Sequence, residues 1–569
     1  MEEKKEINGG DVLIKCLLKE KVKYMFGIPG GQFLNMYDAI YRWGKEKGIE
    51  TILFRHEQAA AHAADAWARV SNTPGVCFGT VGPGALHLVP GVATAWADNI
   101  PVIAIVPQVN SKYQDALTLQ GNLDQVTMYK PITKYQKSIW KVEDIPDAVQ
   151  KVFREAVNGR PGPTLLEIYE DAFLEEIEEA QLKILDVQNY RPLEKPAINQ
   201  ETIRKALDFL LKAEKPLIIS GGGVARAEAW NELQEFAEYL QIPVMTTIMG
   251  IGTISNKSKC LIGATIAGPG LKAAAEADVI LALGCKFSYT MAHGDEPFWK
   301  DTQKMIQVDI DPSMIGRAKP ISLGIVGDCK QFLAQILNEV KKGEKVEKRD
   351  WLESLAEMRK NQIQSTLKKA SKDKVPIQPQ RLVKDLLEFI DEDAILILDA
   401  GDTSCYAIEQ IDFHKDRAPL THLQPVSMGE LGVAVPYGIG AKLAKPDKQV
   451  VALAGDGAFM INVQDLETAA RLKLNNLIYV VANNNAWGMI KSGQKLVMGK
   501  RYIDVDLPEF DYAKMAESFG CYGEVVIDPN EIKPALERAK NSGKPAVLDV
   551  KIAWATPDAT KLMASMGIL

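Results

Sequence analysis

A chain of 569 residues with 46% apolar and 25% charged side chains has an ordinary globular composition and room for two to four domains. Its formal charge of −7 gives no electrostatic reason to expect nucleic acid or an anionic membrane as a partner. The amino end has no apolar signal core and no run reaches membrane-spanning length. The seven cysteines, an odd number without CxxC spacing, suggest neither a disulfide framework nor a zinc site, so a cytoplasmic protein is expected.

In chain order, residues 11–26 carry a helical stripe (Val12, Leu13, Cys16, Leu17), and the turn Gly27-Ile28-Pro29-Gly30-Gly31-Gln32 leads to a helix at 33–43. A strand at 51–54 meets an Ala-rich helix at 58–69 through Arg55-His56-Glu57-Gln58. Strands at 76–80, 102–106 and 164–168, with the turn Gly82-Pro83-Gly84 and a helix near 145–158, complete an alternating pattern. Residues 107–125 are polar and irregular, and 176–200 read as a linker. A second α/β pattern opens at Pro216 with Gly221-Gly222-Gly223, continues through Val244, 279–283 and 305–308, and ends near Asp328. The charged stretch 341–350 and the polar helix after it read as a second linker. A third pattern runs from a strand at 394–398 to one at 546–550. The expected fold is α/β, three consecutive open parallel-sheet domains at 1–185, 195–345 and 375–569.

The third pattern holds the densest chemistry. A buried strand at 450–454 meets the turn Gly455-Asp456-Gly457. A helical pattern follows (Leu466, Ala469, Ala470, Leu472), then a buried strand at 477–482 ending in Asn483-Asn484-Asn485. A βαβ unit puts both turns at one sheet edge, so a carboxylate and a carboxamide 28 positions apart meet there. Hard oxygen ligands beside backbone amides suit a divalent ion that holds a diphosphate.

This motif resembles the cofactor motif of thiamine diphosphate enzymes, and Arg55-His56-Glu57-Gln58 with the following Ala-rich helix resembles a second segment of that family. The resemblance implies that Asp456, the Asn484 side chain and the Ala486 carbonyl hold Mg²⁺, with Gly455, Gly457, Ala458 and Trp487 around the cofactor. Anchoring on Trp487-Gly488 favours Asn484 over Asn483 and Asn485. It also implies that Glu57, late in the first strand region, pairs with the cofactor's pyrimidine ring and drives formation of the thiazolium carbanion. Met428-Gly429-Glu430-Leu431 matches the family's segment under the cofactor, with Leu431 as the apolar wedge and Gly429 offering a carbonyl. Many relatives have Met at the wedge.

Within the family, Gly27-Ile28-Pro29-Gly30-Gly31 and Arg55-His56-Glu57-Gln58 resemble acetolactate synthase, whereas Gln120-Gly121-Asn122 stands where those enzymes usually have Phe-Gln-Glu. Residues 118–126, His293-Gly294, Asn484 to Gly488 and the closing tail 555–569 resemble benzaldehyde lyase, which has a catalytic histidine where this chain has Gln32. Gln32, Gln120, Trp487 and Met489 are therefore expected to line a polar, uncharged substrate pocket, with Gln32 and Gln120 acting beside Glu57. The implied activity is carbon–carbon lyase or carboligase chemistry on 2-hydroxy carbonyl compounds, through a carbanion and an enamine. Alternatives are an acetolactate synthase-like transferase, a 2-oxo acid decarboxylase, a 2-hydroxyacyl-CoA lyase or synthase, and an inactive cofactor-binding homologue. The middle domain resembles one used for FAD in acetolactate synthases and for ADP or coenzyme A in 2-hydroxyacyl-CoA lyases, and empty in many relatives. The partners implied are a small carbonyl substrate and further copies of the chain, a dimer at least and commonly a tetramer.

Overall fold

The computed structural model describes residues 5–120, 123–265, 267–346 and 348–567. Gly121 and Asn122 of the Gln120 segment, and the last two residues of the closing tail, lie outside these. Two compact units are distinguished: residues 1–193 with 427–447 and 460–474, and residues 194–426 with 448–459 and 475–569.

In the first unit, β1 (Glu6–Asn8), β2 (Tyr24–Gly27), β3 (Glu50–Leu53), β4 (Gly75–Phe78), β5 (Val102–Gln108), β6 (Tyr135–Ile139), β7 (Thr164–Tyr169) and β8 (Glu176–Glu178) alternate with helices. Six of them form one parallel sheet in the order β3-β2-β4-β5-β7-β6. The central strands β4, β5 and β7 are buried throughout, as continuous apolar runs require. The helices that matter for the site are α1 (Gly9–Lys19), α2 (Leu34–Ala39), α3 (Glu57–Ser71), α4 (Pro83–Asp98) and α5 (Gln125–Tyr129).

Several elements differ from the sequence reading. The stripe at 11–26 is not one helix: a capping box between Asn8 and Asp11 starts α1, Lys21 takes a left-handed φ of 59°, and Val22 N closes back on Leu17 O before β2 begins. The helix at 33–43 breaks into a 3₁₀ turn, the short α2 and a π-helical turn at Ile40–Gly44. The 176–200 linker begins with β8, which pairs antiparallel with β1. Strand β3 lies at the sheet edge, and Glu57 is the first residue of α3 rather than part of the strand region before it.

The second unit holds two further six-stranded parallel sheets. One, in the order β11-β10-β9-β12-β13-β14, comprises β9 (Pro216–Ser220), β10 (Val244–Thr246), β11 (Leu261–Ala264), β12 (Val279–Leu283), β13 (Lys304–Asp309) and β14 (Leu323–Val326). The other, in the order β16-β15-β17-β18-β20-β19, comprises β15 (Ile395–Leu398), β16 (His422–Leu423), β17 (Val450–Gly455), β18 (Leu477–Asn483), β19 (Tyr522–Val526) and β20 (Ala546–Lys551). The three-sheet α/β architecture expected from the sequence is what the chain adopts. The polar helix expected after 341–350 is present as the 21-residue Asp350–Ala370, but it is more than linker, since its start buries Trp351, Leu352 and Leu355 in the core of the β9–β14 sheet. The helix expected between β17 and β18 is broken into Asp456–Met460, a 3₁₀ turn at Val463–Asp465, and Leu466–Arg471.

All seven cysteines are free, and burial pushes the thiols of Cys16 and Cys285 up to about 12. Among the described residues, no helix is long and apolar enough to cross a membrane.

Candidate active site

In the second unit, parallel pairing sets Gly455, the last residue of β17, opposite Ala482 of β18. The Gly455-Asp456-Gly457 turn and the asparagine run therefore leave the same sheet edge, the usual place for ligands in open α/β sheets. The Asp456 carboxylate is buried: Oδ1 accepts from Gly457 N at 2.9 Å, and Oδ2 from Ala486 N at 3.3 Å. Burial raises its pKa, and these amides with those of Asn484 and Asn485 oppose the rise. The three asparagines separate by their partners. Asn483 donates from Nδ2 to Asp549 Oδ1 (2.9 Å) and accepts at Oδ1 from Asn485 N (3.2 Å). The Oδ1 atoms of Asn484 and Asn485 are buried and receive no hydrogen bond. A buried acceptor without a donor is costly unless something positive occupies its lone pairs.

The buried carboxylate of Asp456 and the donor-less carboxamide oxygen of Asn484, at one sheet edge, are hard oxygen donors of the kind that suits a divalent cation such as Mg²⁺. Gly457 is required here, because a Cβ would fall 2.7 Å from Trp487 Cζ3. Ala458 is buried in the turn after Gly457, whereas Trp487 and Met489 are half-buried where β18 passes into the helix Gly488–Val497.

The sequence reading missed Asp402. It opens the helix Asp402–Ile408, after Gly401 at a φ of 112°. Its Oδ2 accepts from Ser492 Oγ (3.0 Å) and its Oδ1 from Thr560 Oγ1 (2.7 Å), and burial raises its pKa to about 6. Asp402, Thr403, Tyr406, Ala482 and Asn484 line one cleft. The signal was present, since Asp402 follows β15 at the same sheet edge as the GDG turn.

In the first unit, His56 caps α3 by accepting Gln58 N at Nδ1 (3.1 Å), and Glu57 follows, buried. Glu57 Oε2 lies 3.1 Å from His87 Nδ1. The loop after β4 gathers the other expected residues. Thr80 Oγ1 donates to Gln32 Oε1 (3.1 Å), and Gln32 Nε2 donates to Gln120 Oε1 (3.4 Å). Gly30 permits this arrangement: a Cβ there would sit 2.3 Å from Thr80 Oγ1. Glu57, Gln32 and Gln120 thus meet around one loop, with Gly79 beside the Glu57 side chain. Two imidazoles that the sequence reading did not place in the pocket, His56 and His87, stand beside Glu57. Gly429 (φ 64°) and the half-buried Leu431 lie on the loop before the helix Ala434–Ala444.

In the β9–β14 sheet, the glycines at 221 and 223 have a packing reason. A Cβ on either would fall within 2.6 Å of Gly284 backbone atoms.

Comparison with known proteins gives three matches along the chain to thiamine pyrophosphate enzyme domains: the N-terminal TPP binding domain over residues 7–128, the central domain over 203–336 and the C-terminal TPP binding domain over 399–550. The chain is 37% identical over 560 residues to a probable acetolactate synthase large subunit of Methanocaldococcus jannaschii, covering 96% of this chain and 92% of that one. It is 34% identical over 561 residues to the acetolactate synthase large subunit of Corynebacterium glutamicum (95% and 86% covered). With that of Cyanidium caldarium the identity is 32% over 559 residues (96% and 93%).

Proposed function

Because the chain belongs to the thiamine pyrophosphate enzymes, in the acetolactate synthase group, we propose that it is a carboligase that transfers an acyl fragment from a 2-oxo acid to a carbonyl acceptor, giving a 2-hydroxy carbonyl product. The observation that carries this reading is the buried, donor-less oxygen of Asn484 beside buried Asp456, where β17 and β18 end. Near full-length similarity to acetolactate synthase large subunits supports bond formation between two carbonyl carbons.

Thiamine diphosphate, when bound, supplies a carbon nucleophile and accommodates the charge left when the donor's bond breaks. In this reading Asp456, Asn484 and the Ala486 carbonyl hold Mg²⁺ against its diphosphate. Glu57 holds and returns the proton exchanged with its pyrimidine ring. Leu431 and Gly429 seat the ring system from below. Gln32 and Gln120 offer donors and acceptors to the carbonyl and hydroxyl oxygens of the reactants, and Trp487 and Met489 wall the pocket. Carboxamides orient such oxygens well and shuttle protons poorly, which favours a carbonyl over a proton as the acceptor. Glu57 and Asp456 serve one site from two copies of the chain, so a dimer is the smallest active form and a tetramer is consistent with it.

The test is mass spectrometry of small molecules released on denaturation, combined with product analysis on a short 2-oxo acid. Retained thiamine diphosphate, requiring Mg²⁺, with a branched 2-hydroxy-3-oxo acid as product, is the expected result. No retention with Mg²⁺ present overturns the reading. Retained coenzyme A or ADP would replace the substrate class with acyl-CoA compounds, whereas FAD would leave it in place. Glu57→Gln should abolish exchange of the cofactor's C2 proton while leaving the cofactor bound, and exchange at the parent rate would remove Glu57 from its role.

A further inference from the structure

Glu57 is held by an imidazole that the proposed reaction leaves unused. The pair is fixed by helix packing. His87 lies in the second turn of α4, and Gly91, four residues on, faces Ala61, four residues on from Glu57 in α3. A Cβ at position 91 would fall 2.4 Å from the Ala61 Cβ, so the two helix backbones are in the closest contact that side chains allow. One helical turn earlier on both helices, the same register sets His87 Nδ1 3.1 Å from Glu57 Oε2. The pair joins a buried side chain to an open one: that of Glu57 is 8% exposed and that of His87 is 48% exposed. The His56 ring lies 4.6 Å from the His87 ring at 30° and is itself tied to the start of α3, so it limits how far His87 can swing.

We propose that His87 is a positioning residue for Glu57, which fixes one carboxylate oxygen and carries protons between that carboxyl group and solvent. The proposal rests on the role assigned to Glu57 above. In the protonated state, the Glu57 carboxyl donates to His87 Nδ1, with the imidazole proton on Nε2. Transfer moves the proton from Oε2 to Nδ1, and the imidazolium then releases its Nε2 proton to water. The result is a carboxylate accepting from a neutral Nδ1–H imidazole. The two steps together move one proton from the carboxyl group to water and leave the imidazole neutral but in its other tautomer. The reverse steps, with a proton taken up at Nε2 and one returned from Nδ1 to Oε2, restore the starting state. The other carboxylate oxygen stays available to the cofactor. The titratable groups facing the pair are His56, before α3, Tyr129 on α5 and, behind Tyr129, Cys77 on β4. Burial, then the neighbouring His87, lowers the pKa of His56. Tyr129 is buried with its hydroxyl donated to Ala85 O, and burial raises it well above the usual phenol range. None of the three joins Glu57 to solvent as His87 does.

The test uses the full chain with Mg²⁺ and thiamine diphosphate, comparing the parent with His87→Ala, His87→Asn and Glu57→Gln. His87→Ala should retain the cofactor but exchange its C2 proton about tenfold to a hundredfold more slowly, the size usual when a group that orients a functional ligand is lost. Added imidazole should restore the rate of His87→Ala, and His87→Asn should lose the parent's pH profile while folding normally. A readout independent of cofactor chemistry is ¹⁵N-histidine NMR: His87 should be an Nδ1–H tautomer in the parent and shift towards Nε2–H in Glu57→Gln. Parent-like rate and pH profile in both His87 variants, with Glu57→Gln inactive in exchange, overturn the proposal alone. Loss of rate in His87→Ala with no imidazole rescue and no tautomer change also overturns it, leaving a packing role. Exchange at the parent rate in Glu57→Gln overturns the role of Glu57 and this proposal with it.

Discussion

Replacing Asn484 by leucine separates a metal ligand from a structural asparagine, because leucine keeps the carboxamide's shape and removes its polar atoms. The Oδ1 of Asn484 is buried and receives no hydrogen bond. An acceptor in that state costs about 1–3 kcal/mol, so its removal should leave the ligand-free protein unchanged or more stable by up to about that amount. The parent should gain about 2.7 kcal/mol from Mg²⁺ and thiamine diphosphate at a hundredfold excess over Kd. If Oδ1 is a Mg²⁺ ligand, Asn484→Leu should lose most of that increment. Denaturant unfolding, with and without both ligands, measures both quantities in one experiment. Two results refute the reasoning. One is a ligand increment equal to the parent's. The other is a ligand-free variant weakened by more than about 1 kcal/mol, the mark of a hydrogen bond lost.

Gly457→Ala places a Cβ 2.7 Å from Trp487 Cζ3, an overpacking of about 1–3 kcal/mol, so the Kd for Mg²⁺–thiamine diphosphate should rise roughly 5- to 150-fold in titration. An unchanged Kd would show that the ring moves freely. Arg69 bridges buried Asp65 (2.8 and 3.1 Å) and Asp98 (3.0 Å), so Arg69→Met leaves two buried carboxylates and should cost about 3–5 kcal/mol in denaturant unfolding. A loss below about 1 kcal/mol, the size of an exposed pair, would contradict it. Asp402 is raised from 3.8 to about 6, so folding favours its neutral form and its contribution to stability falls as pH rises between those values. Asp402→Asn should therefore gain on the parent across that window by at most about 3 kcal/mol, and parallel pH–stability curves for the two proteins would refute the assignment.

The parts of the fold that were legible in the sequence are those whose signal is local. The runs that became β9, β12, β17 and β18 are apolar because both faces of a parallel sheet are covered, and Gly455-Asp456-Gly457 announces where one of them ends. What stayed hidden depends on partners distant in sequence. The pairing of β1 with β8 involves three residues a side, with glutamates at both ends of β8, too short and polar for a period-two pattern. The helix Asp350–Ala370 was expected, but its packing was not, because only Trp351, Leu352 and Leu355 near its start, and Ala370 at its end, are buried, while the rest of its length faces solvent or is half-covered. The network of Arg69, Asp65 and Tyr437 joins residues more than 360 positions apart, and no window of sequence contains it.

That Glu57 was placed between the strand and α3 rather than in the helix has a physical cause and a consequence. Arg55-His56-Glu57 sits between two periodicities, and histidine is not among the preferred N-caps, so the start of α3 carried no plain mark. Once Glu57 is the first residue of that helix, its surroundings can be compared with those of the other buried carboxylates, and the donors differ in kind. Asp456 is held by backbone amides, which cannot give up a proton and so favour the ionised form that a cation needs. Asp402 is held by the hydroxyls of Ser492 and Thr560, which can donate or accept and so tolerate a protonated carboxyl, in keeping with a pKa near 6. Of these three carboxylates, Glu57 is the one that meets an imidazole, a ring whose two nitrogens can each carry or give up a proton. If donor type follows role, the carboxylate that must exchange protons is the one with the titratable partner, and its exchange should depend on His87 in a way that amides or hydroxyls at the same distance could not reproduce.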